Sequence, residues 1–174
     1  VKGLVDVYFL VFIHLGTRRI WISPSTDRPT GDWTTQQARN FQMHVDDEIL
    51  KCEIISRDND GKYTESFDEV FKSTGCTVKR NTPASPNLQA HVERVIQPIK
   101  HEILNGFVVV TNQQLDVILR QGSAWYNTRR GHSARDHLPP IRDDDSPPMI
   151  DLKTTKIECH TELGGLLKSY RPAA

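Results

Sequence analysis

The feature that most constrains the fold is the apolar run VDVYFLVFIHL near the start of the chain. Its β-branched and aromatic residues favour an extended strand, and its lack of polar alternation is typical of a central strand buried on both faces. The run is about half as long as the ~20 residues that a membrane helix needs, and it contains Asp6. We therefore expect residues 3–13 to form a buried strand of a globular domain.

Short strands and helices alternate along the rest of the chain. After a turn at residues 14–17, RRIWIS predicts the second strand of a hairpin, and the short runs LKCEII and CTVKRN predict two more strands. Asp32 is expected to cap the first helix, Thr64 to begin the second, and Pro98 to kink the third. Four helices are expected, over residues 33–44, 64–74, 88–104 and 112–126. This order predicts a mixed α/β domain.

Charge and cysteine content set loose limits on function. The chain has 22 basic and 22 acidic residues, so its overall charge indicates no partner. Basic residues outnumber acids between residues 94 and 142, which permits a phosphate or nucleic-acid partner. The three cysteines have neither Cys-x-x-Cys nor zinc-ligand spacing, and their odd number favours a reducing compartment.

Two aspartates follow a strand in IISRDNDGKY, residues 54–63. A calcium loop with Gly61 at its sixth position would have Phe67 where a bidentate glutamate belongs, so that interpretation is poor. Asp and Asn also favour turns, because their side chains bond to nearby backbone amides. Taken alone, the stretch is best interpreted as a polar turn.

Three stretches together resemble a known family: RDNDGKYTESFDEVF, TPASPNLQAHVERVIQPIKHEIL and WYNTRRGHS. They are similar to the catalytic core of retroviral-type integrases and insertion-sequence transposases, the DDE enzymes, whose pattern runs D-R-x-x-x-[FY] and then S-P-x-x-x-x-x-x-E-R. The resemblance extends over about residues 3 to 135, and the ending LGGLLKSY also resembles the tails of some bacterial integrase-like proteins. It implies a ribonuclease-H-like mixed sheet flanked by helices.

The resemblance implies two catalytic, metal-binding carboxylates, Asp58 and Glu93, which 34 residues separate. Tyr63 matches the aromatic position, the segment from Ser85 to Asn87 precedes Glu93 as in the family, and Asn59 replaces the usual arginine. Two Mg²⁺ (or Mn²⁺) ions held by carboxylates would activate the attacking oxygen and stabilise the leaving oxygen of an in-line displacement at phosphorus.

Basic and polar residues beyond Glu93 are candidates for DNA contact. Gln97 and Lys100 follow Glu93 by four and seven residues and so share its helix face. Lys100 is expected to contact the DNA backbone with Gln97 beside it, although a solvated helix lysine is the plainer alternative. Arg129 and Arg130 match a basic segment near the end of the family core, where a solvated turn is an equal alternative.

The family pattern also requires an earlier aspartate on the first strand. Lys2-Gly3 matches the turn that follows this strand in the family, so the first aspartate is expected about ten residues before Val1. Asp6 is the other candidate for the first ligand. We therefore expect residues 1–135 to be a catalytic core incomplete at its N-terminus, lacking one metal ligand and one strand, and residues 136–174 to be a linker and C-terminal tail.

The expected function of the parent protein is Mg²⁺-dependent cleavage and joining of DNA during integration or transposition, in the cytoplasm beside the nucleoid. Mobile-element ends and target DNA are the expected partners, with a homo-oligomer as the active form and no membrane. The fragment itself is expected to be inactive, so whether this chain is an enzyme stays open. Two alternatives are a degenerate, non-catalytic nucleic-acid-binding remnant and a ribonuclease-H-like nuclease.

Overall fold

The computed structural model describes residues 3–48, 51–81, 86–142, 151 and 153–173, without the side chains of residues 86–89 and 134. The strands and helices follow the predicted order, with a further hairpin at the end. They are β1 (Val11–Ile13), β2 (Ile20–Ile22), α1 (Gly31–Asp47), β3 (Ile54–Arg57), α2 (Glu65–Lys72), β4 (Thr77–Arg80), α3 (Pro86–Pro98), α4 (Asn112–Thr128), β5 (Ile157–Glu162) and β6 (Leu167–Pro172).

The described strands pair as three two-stranded sheets, each joining a strand to the next one along the chain. β3 and β4 are parallel, with Ile54 opposite Thr77 and Arg57 opposite Arg80. β5 and β6 are antiparallel. The result is a mixed α/β fold, as predicted. By its contacts the chain divides into two compact units, one comprising Val1–Val11 with Ser23–Glu93 and the other Phe12–Ile22 with Arg94–Ala174.

The first strand differs from the prediction. Only Val11–Ile13 is a regular strand, preceded by a bridge between Tyr8 and Thr26. Leu4 is 109% exposed and Val5 58% exposed, so the expected burial of both faces is wrong for this end of the run. β-branched residues favour an extended backbone, but whether a strand is buried depends on which other elements pack against it.

The first unit is built on α1 and α2, which pack through aromatic rings. Phe67 and Phe71 are fully buried, their ring centroids lie 5.3 Å apart, and Phe41 of α1 lies 6.2 Å from Phe71. α2 begins after Thr64 as predicted, and Gly75, with φ at +83°, follows its C-terminal end where a residue with a Cβ would be strained.

Several predicted boundaries shift. Thr30, not Asp32, caps α1, because its extended backbone lets its hydroxyl accept a hydrogen bond from the Trp33 amide at 3.2 Å. The predicted strand 50–55 is instead Ile54–Arg57, the residues that pair with β4. α3 begins at Pro86, two residues before the expected Leu88.

At Pro98 the third helix changes rather than ends. A π-helical turn covers Ile99–Ile103 and a 3₁₀ turn covers Leu104–Gly106. Proline has no amide hydrogen to donate to the carbonyl four residues back, and widening of the helix after it is one way to accommodate that loss. Where the sequence predicted a kink, the structure has a π turn directly after Pro98.

The second unit has its core between the π turn and α4. Ile99, Ile103, Leu119 and Tyr126 are all buried there. The side chain of Asn127 ties α4 to β2, since its Oδ1 accepts from the Ile20 amide at 2.9 Å and its Nδ2 donates to the Ile20 carbonyl at 2.8 Å. The sequence shows only weak periodicity over its last segment, and the β5–β6 hairpin there was not predicted.

Cysteines mark the start of the parallel pair in the first unit. The sulfur atoms of Cys52 and Cys76 lie 3.1 Å apart as free thiols. Burial, followed by a hydrogen bond with Cys76, raises the pKa of the Cys52 thiol to about 12. Cys159 lies on β5 and is exposed.

Candidate active site

Asp58 stands at the carboxyl end of the parallel pair, immediately after β3. The Asn81 amide, just past β4, donates to the Arg57 carbonyl at 2.7 Å, so the two chains leave the sheet side by side. Asn59 Nδ2 in turn donates to the Asn81 carbonyl at 2.8 Å. The carboxyl edge of parallel strands is where α/β proteins commonly assemble functional side chains, and the prediction that a strand delivers Asp58 to this edge is confirmed.

Two successive aspartate turns shape the loop after β3. Asp58 Oδ1 accepts from the Asp60 amide at 3.1 Å, and Asp60 Oδ1 accepts from the Lys62 amide at 2.9 Å. Lys62 Nζ also lies 3.0 Å from Asp60 Oδ2. The hydrogen bond from the Lys62 backbone, then that from its side chain, lowers the pKa of Asp60. Asp60 is thus the turn residue that the sequence suggested, while the Asp58 side chain is exposed.

A buried ion pair lies behind this loop. Arg57 Nε donates to Asp68 Oδ1 at 2.6 Å and its Nη2 donates to Asp68 Oδ2 at 2.7 Å. The Nη1 of the same guanidinium donates to the Asp58 carbonyl at 2.9 Å. Arg80 also donates to Asp68 Oδ2, at 3.1 Å. The hydrogen bonds from Arg57 are the main cause that lowers the pKa of Asp68, and burial opposes them.

A cleft of about 180 Å³ opens beside Asp58 within the first unit. Tyr8, Trp33 and Tyr63 give it aromatic walls, and Asp58 and Lys62 contribute charged groups. Tyr63 packs edge-on against the buried ring of Phe67, with centroids 4.9 Å apart, and burial raises its pKa to about 12. The aromatic position after Asp58 therefore belongs to the wall of the cleft and to the core.

Glu93 lies on α3 and is exposed. Gln97 and Lys100 are also exposed, whereas Ile99 and Ile103 are buried. Lys100 lies in the π turn after Pro98, so its angular position differs from that in a regular α-helix. Ser85, from the predicted segment before Glu93, lies outside the described residues.

The two predicted DNA-binding arginines at the end of α4 are near carboxylates. Arg130 forms a two-pronged pair with Glu102, from Nε to Oε2 at 2.8 Å and from Nη2 to Oε1 at 2.7 Å. Its guanidinium also lies 5.6 Å from the centroid of the Tyr126 ring. Arg129 Nε lies 3.9 Å from Glu162 Oε1. Contact of either arginine with DNA stays a prediction.

The carboxylate oxygens of Asp58 and Glu93 are chemically suited to a hard divalent cation. Both side chains are exposed, and carboxylates are the ligands that Mg²⁺ and Mn²⁺ prefer. Within the described ranges, however, no group of three or more His, Cys, Asp or Glu side chains is arranged to hold a metal ion. The Asp6 side chain is exposed. The calcium-loop alternative loses further support because Phe67, its twelfth position, is a core residue with 1% exposure.

Sequence reasoning missed Arg57 and Asp68. An arginine at the end of the strand, directly before Asp58, was one available signal, because an unpaired charge is rarely buried. An acid in the first turn of α2 was the other. Their pairing depends on how α2 packs against the end of β3, which local sequence patterns do not specify.

Comparisons with known proteins agree with this fold. Residues 74–140 match the family model of the integrase core domain. The structure is similar to that of the catalytic core domain of BIV integrase, with a TM-score of 0.57 and 17% sequence identity, over 76% of this chain and 81% of that chain. No match was found among curated proteins.

The fold is therefore that of an integrase catalytic core, which is ribonuclease-H-like. The segment that matches the integrase core domain, residues 74–140, includes Glu93 but not Asp58. None of the helices in the described part of the chain is long and apolar enough to cross a membrane.

Proposed function

We propose that this chain belongs to the catalytic core of an enzyme that cuts and joins DNA strands during integration or transposition. The observation that carries the proposal is the exposed Asp58 directly after β3, at the carboxyl edge of a parallel pair in an integrase-type fold. The family match over residues 74–140 supports it independently, since it covers the helix that bears Glu93.

Asp58 and Glu93 would be the catalytic carboxylates and would hold Mg²⁺ or Mn²⁺. When bound, such ions lower the pKa of a coordinated water and neutralise charge that develops on phosphate oxygens. The chain's own contribution begins with the loop after β3, where the Asp60 amide bonds to Asp58 Oδ1 and limits the rotation of the carboxylate. Removing the freedom of a ligand before the cation arrives favours binding.

DNA would be recognised through its phosphates. Exposed Lys100 is the best candidate for a backbone contact, with Gln97 beside it, because an ammonium group on a helix can approach a phosphate as a point charge. Arg129 and Arg130 are weaker candidates, since each would have to exchange a carboxylate for a phosphate. Mobile-element ends and target DNA are the proposed partners, and a homo-oligomer is the proposed active form.

The test uses the full-length protein that contains this chain, with supercoiled plasmid and end-labelled duplex DNA as substrates. Asp58→Asn and Glu93→Gln are each expected to lower Mg²⁺- or Mn²⁺-dependent cleavage and joining at least 10³-fold, because each removes an anionic oxygen ligand. Asp60→Asn is the matched control and should retain most activity. Wild-type turnover by either of the first two variants would sink the assignment.

A non-catalytic DNA-binding remnant is the second candidate. It is favoured by the absence, among the described side chains, of a group of three metal ligands. This candidate predicts that the wild-type protein binds duplex DNA in a gel-shift assay without metal-dependent cleavage. Products that are cut but never joined would instead indicate a ribonuclease-H-like nuclease.

A further inference from the structure

The pair of Arg57 and Asp68 is an unusual choice for the interior. Both residues are buried, at 7% and 3% exposure, and both guanidinium–carboxylate bonds are shorter than 2.8 Å. Desolvation of two charges offsets most of their attraction, so apolar residues of similar volume often stabilise a protein as well or better. Stability alone therefore gives a weak reason for a charged pair at this place.

The third bond of Arg57 gives a better reason. Its Nη1 donates to the backbone carbonyl of Asp58 at 2.9 Å, at the point where β3 ends. The guanidinium also lies 5.7 Å from the centroid of the Tyr63 ring, at the far end of the same loop. One rigid planar group thus connects α2, the backbone of Asp58 and the residue that closes the loop, while the Asp58 carboxylate stays in solvent.

Asp68 fixes the orientation of that group. The Asp68 carboxylate accepts hydrogen bonds from both Nε and Nη2 of Arg57. These two bonds fix the plane of the guanidinium, so that Nη1 points at the Asp58 carbonyl. Lysine could supply the charge but not this geometry. Arg80 touches the same carboxylate from a side chain that is 63% exposed, and no bond from it to Asp58 is present in the described structure.

We propose that Arg57, oriented by Asp68, is a positioning residue that holds the main chain at Asp58 and thereby aims its carboxylate at the metal. The proposal rests on the proposed role of Asp58 as a metal ligand. Groups that orient metal ligands typically change metal affinity by 10- to 100-fold when they are removed. A residue that only stabilised the fold would leave metal affinity unchanged once stability was restored.

The decisive variant replaces both charges together, Arg57→Met with Asp68→Leu, in the full-length protein. We expect it to fold with a denaturation midpoint at or above that of the wild type. The Mn²⁺ concentration for half-maximal DNA cleavage should rise 10- to 100-fold, while the rate at saturating Mn²⁺ recovers a large part of the wild-type value. A folded double variant with the metal dependence of the wild type would overturn the proposal.

Two further variants separate geometry from charge. Arg57→Lys keeps a cation near Asp68 but loses the fork, so it should also need more Mn²⁺. Arg80→Met removes the other partner of Asp68 and should leave the Mn²⁺ requirement unchanged. A wild-type Mn²⁺ requirement in Arg57→Lys, or an equally raised requirement in Arg80→Met, would contradict the proposal. Either result would show that the charge near Asp68, and not the geometry of Arg57, sets the Mn²⁺ requirement.

A measurement that needs no activity keeps this proposal separate from the proposed function. Hydrogen exchange of the peptide that covers residues 54–63 should be faster in the double variant by 10-fold or more, while peptides of α1 keep wild-type exchange. If wild-type protein cleaves no DNA but the exchange result holds, the function fails and the positioning stands. Unchanged exchange in this peptide overturns the positioning even where cleavage is observed.

Discussion

Each unit of the molecule contains an arginine–carboxylate fork seated on a tyrosine ring. In the first unit Arg57 pairs with Asp68 and lies 5.7 Å from the centroid of Tyr63. In the second, Arg130 pairs with Glu102 and lies 5.6 Å from the centroid of Tyr126. The contacts are nearly the same, but the side chains of the first pair are 6% and 4% exposed and those of the second are 23% and 37% exposed.

Burial separates what these two forks can do. Breaking a buried pair leaves an uncompensated charge in a poorly solvated place, whereas water reaches the partners of a half-exposed pair. In the buried fork, the third nitrogen of the Arg57 guanidinium, Nη1, donates a hydrogen bond to the main-chain carbonyl of Asp58, a candidate catalytic residue. The fork of Arg130 makes no such bond in the described structure. The comparison shows that pairs with similar contact geometry can differ in effect. A buried pair fixes the backbone around it, whereas the partners of a half-exposed pair can separate into water.

The largest expected effect is that of Arg57→Ala. Removing one partner of a buried pair costs roughly 3–5 kcal/mol of the free energy of unfolding, and the remaining contact of Asp68 with Arg80 favours the lower end. Urea denaturation measures this, with Lys72→Ala as the control, because Lys72 pairs with Glu69 on the surface. A loss below 1 kcal/mol would remove the contrast between the two forks.

Arg130→Ala is expected to cost less, about 1–2 kcal/mol, since Glu102 is left partly solvated and contact with the Tyr126 ring is lost. The same denaturation experiment gives the value, and Glu102→Ala is the matched variant. If Arg130→Ala proves as costly as Arg57→Ala, exposure does not explain the difference between the pairs.

Acid should weaken the buried fork gradually. Because Arg57 lowers the pKa of Asp68 below its ordinary value of 3.8, the bonded carboxylate stabilises the folded state above the unfolded-state pKa, and this stabilisation is lost as pH falls through the folded-state pKa. The difference in unfolding free energy between wild type and Asp68→Asn should therefore shrink below about pH 4. A difference that stays constant from pH 6 to pH 2.5 would contradict the assignment.

Salt should produce the smallest effect and should act on one fork only. At 1 M salt the screening length is about 3 Å, which weakens solvated pairs and leaves buried ones nearly intact. The coupling energy of Arg130 with Glu102, from a double-mutant cycle, is expected to fall by about 0.5 kcal/mol between 0.05 and 1 M NaCl. Equal salt sensitivity of the coupling between Arg57 and Asp68 would show that water reaches both forks.

Local patterns were enough to predict the order of elements from β1 to α4 and the place of Asp58 after β3. Thr64 and Gly75 bound α2 through backbone rules that operate within a few residues, and Pro98 alters its helix for the same kind of reason. Asp58 follows β3 because a short apolar strand must end where polar turn residues begin. These features depend on residues that are close in the sequence.

Features that depend on packing were not predictable in this way. Arg57 pairs with Asp68, which lies eleven residues later on another element. Arg130 pairs with Glu102, which lies 28 residues earlier. The β5–β6 hairpin escaped prediction because β5, IECHTE, has no buried residue, and its turn relies on positive φ at Gly164 and Gly165. By contrast, Asp58 needs only the end of β3 to reach its exposed position.

The paired thiols of Cys52 and Cys76 have a practical consequence for labelling. Burial raises the pKa of the Cys52 thiol to about 12, so little of it is thiolate at neutral pH, and the sulfur of Cys76 is shielded by burial. Maleimides attack the thiolate, so the exposed Cys159 should react far faster than the other two. A single fluorophore can thus be attached to β5 without any substitution.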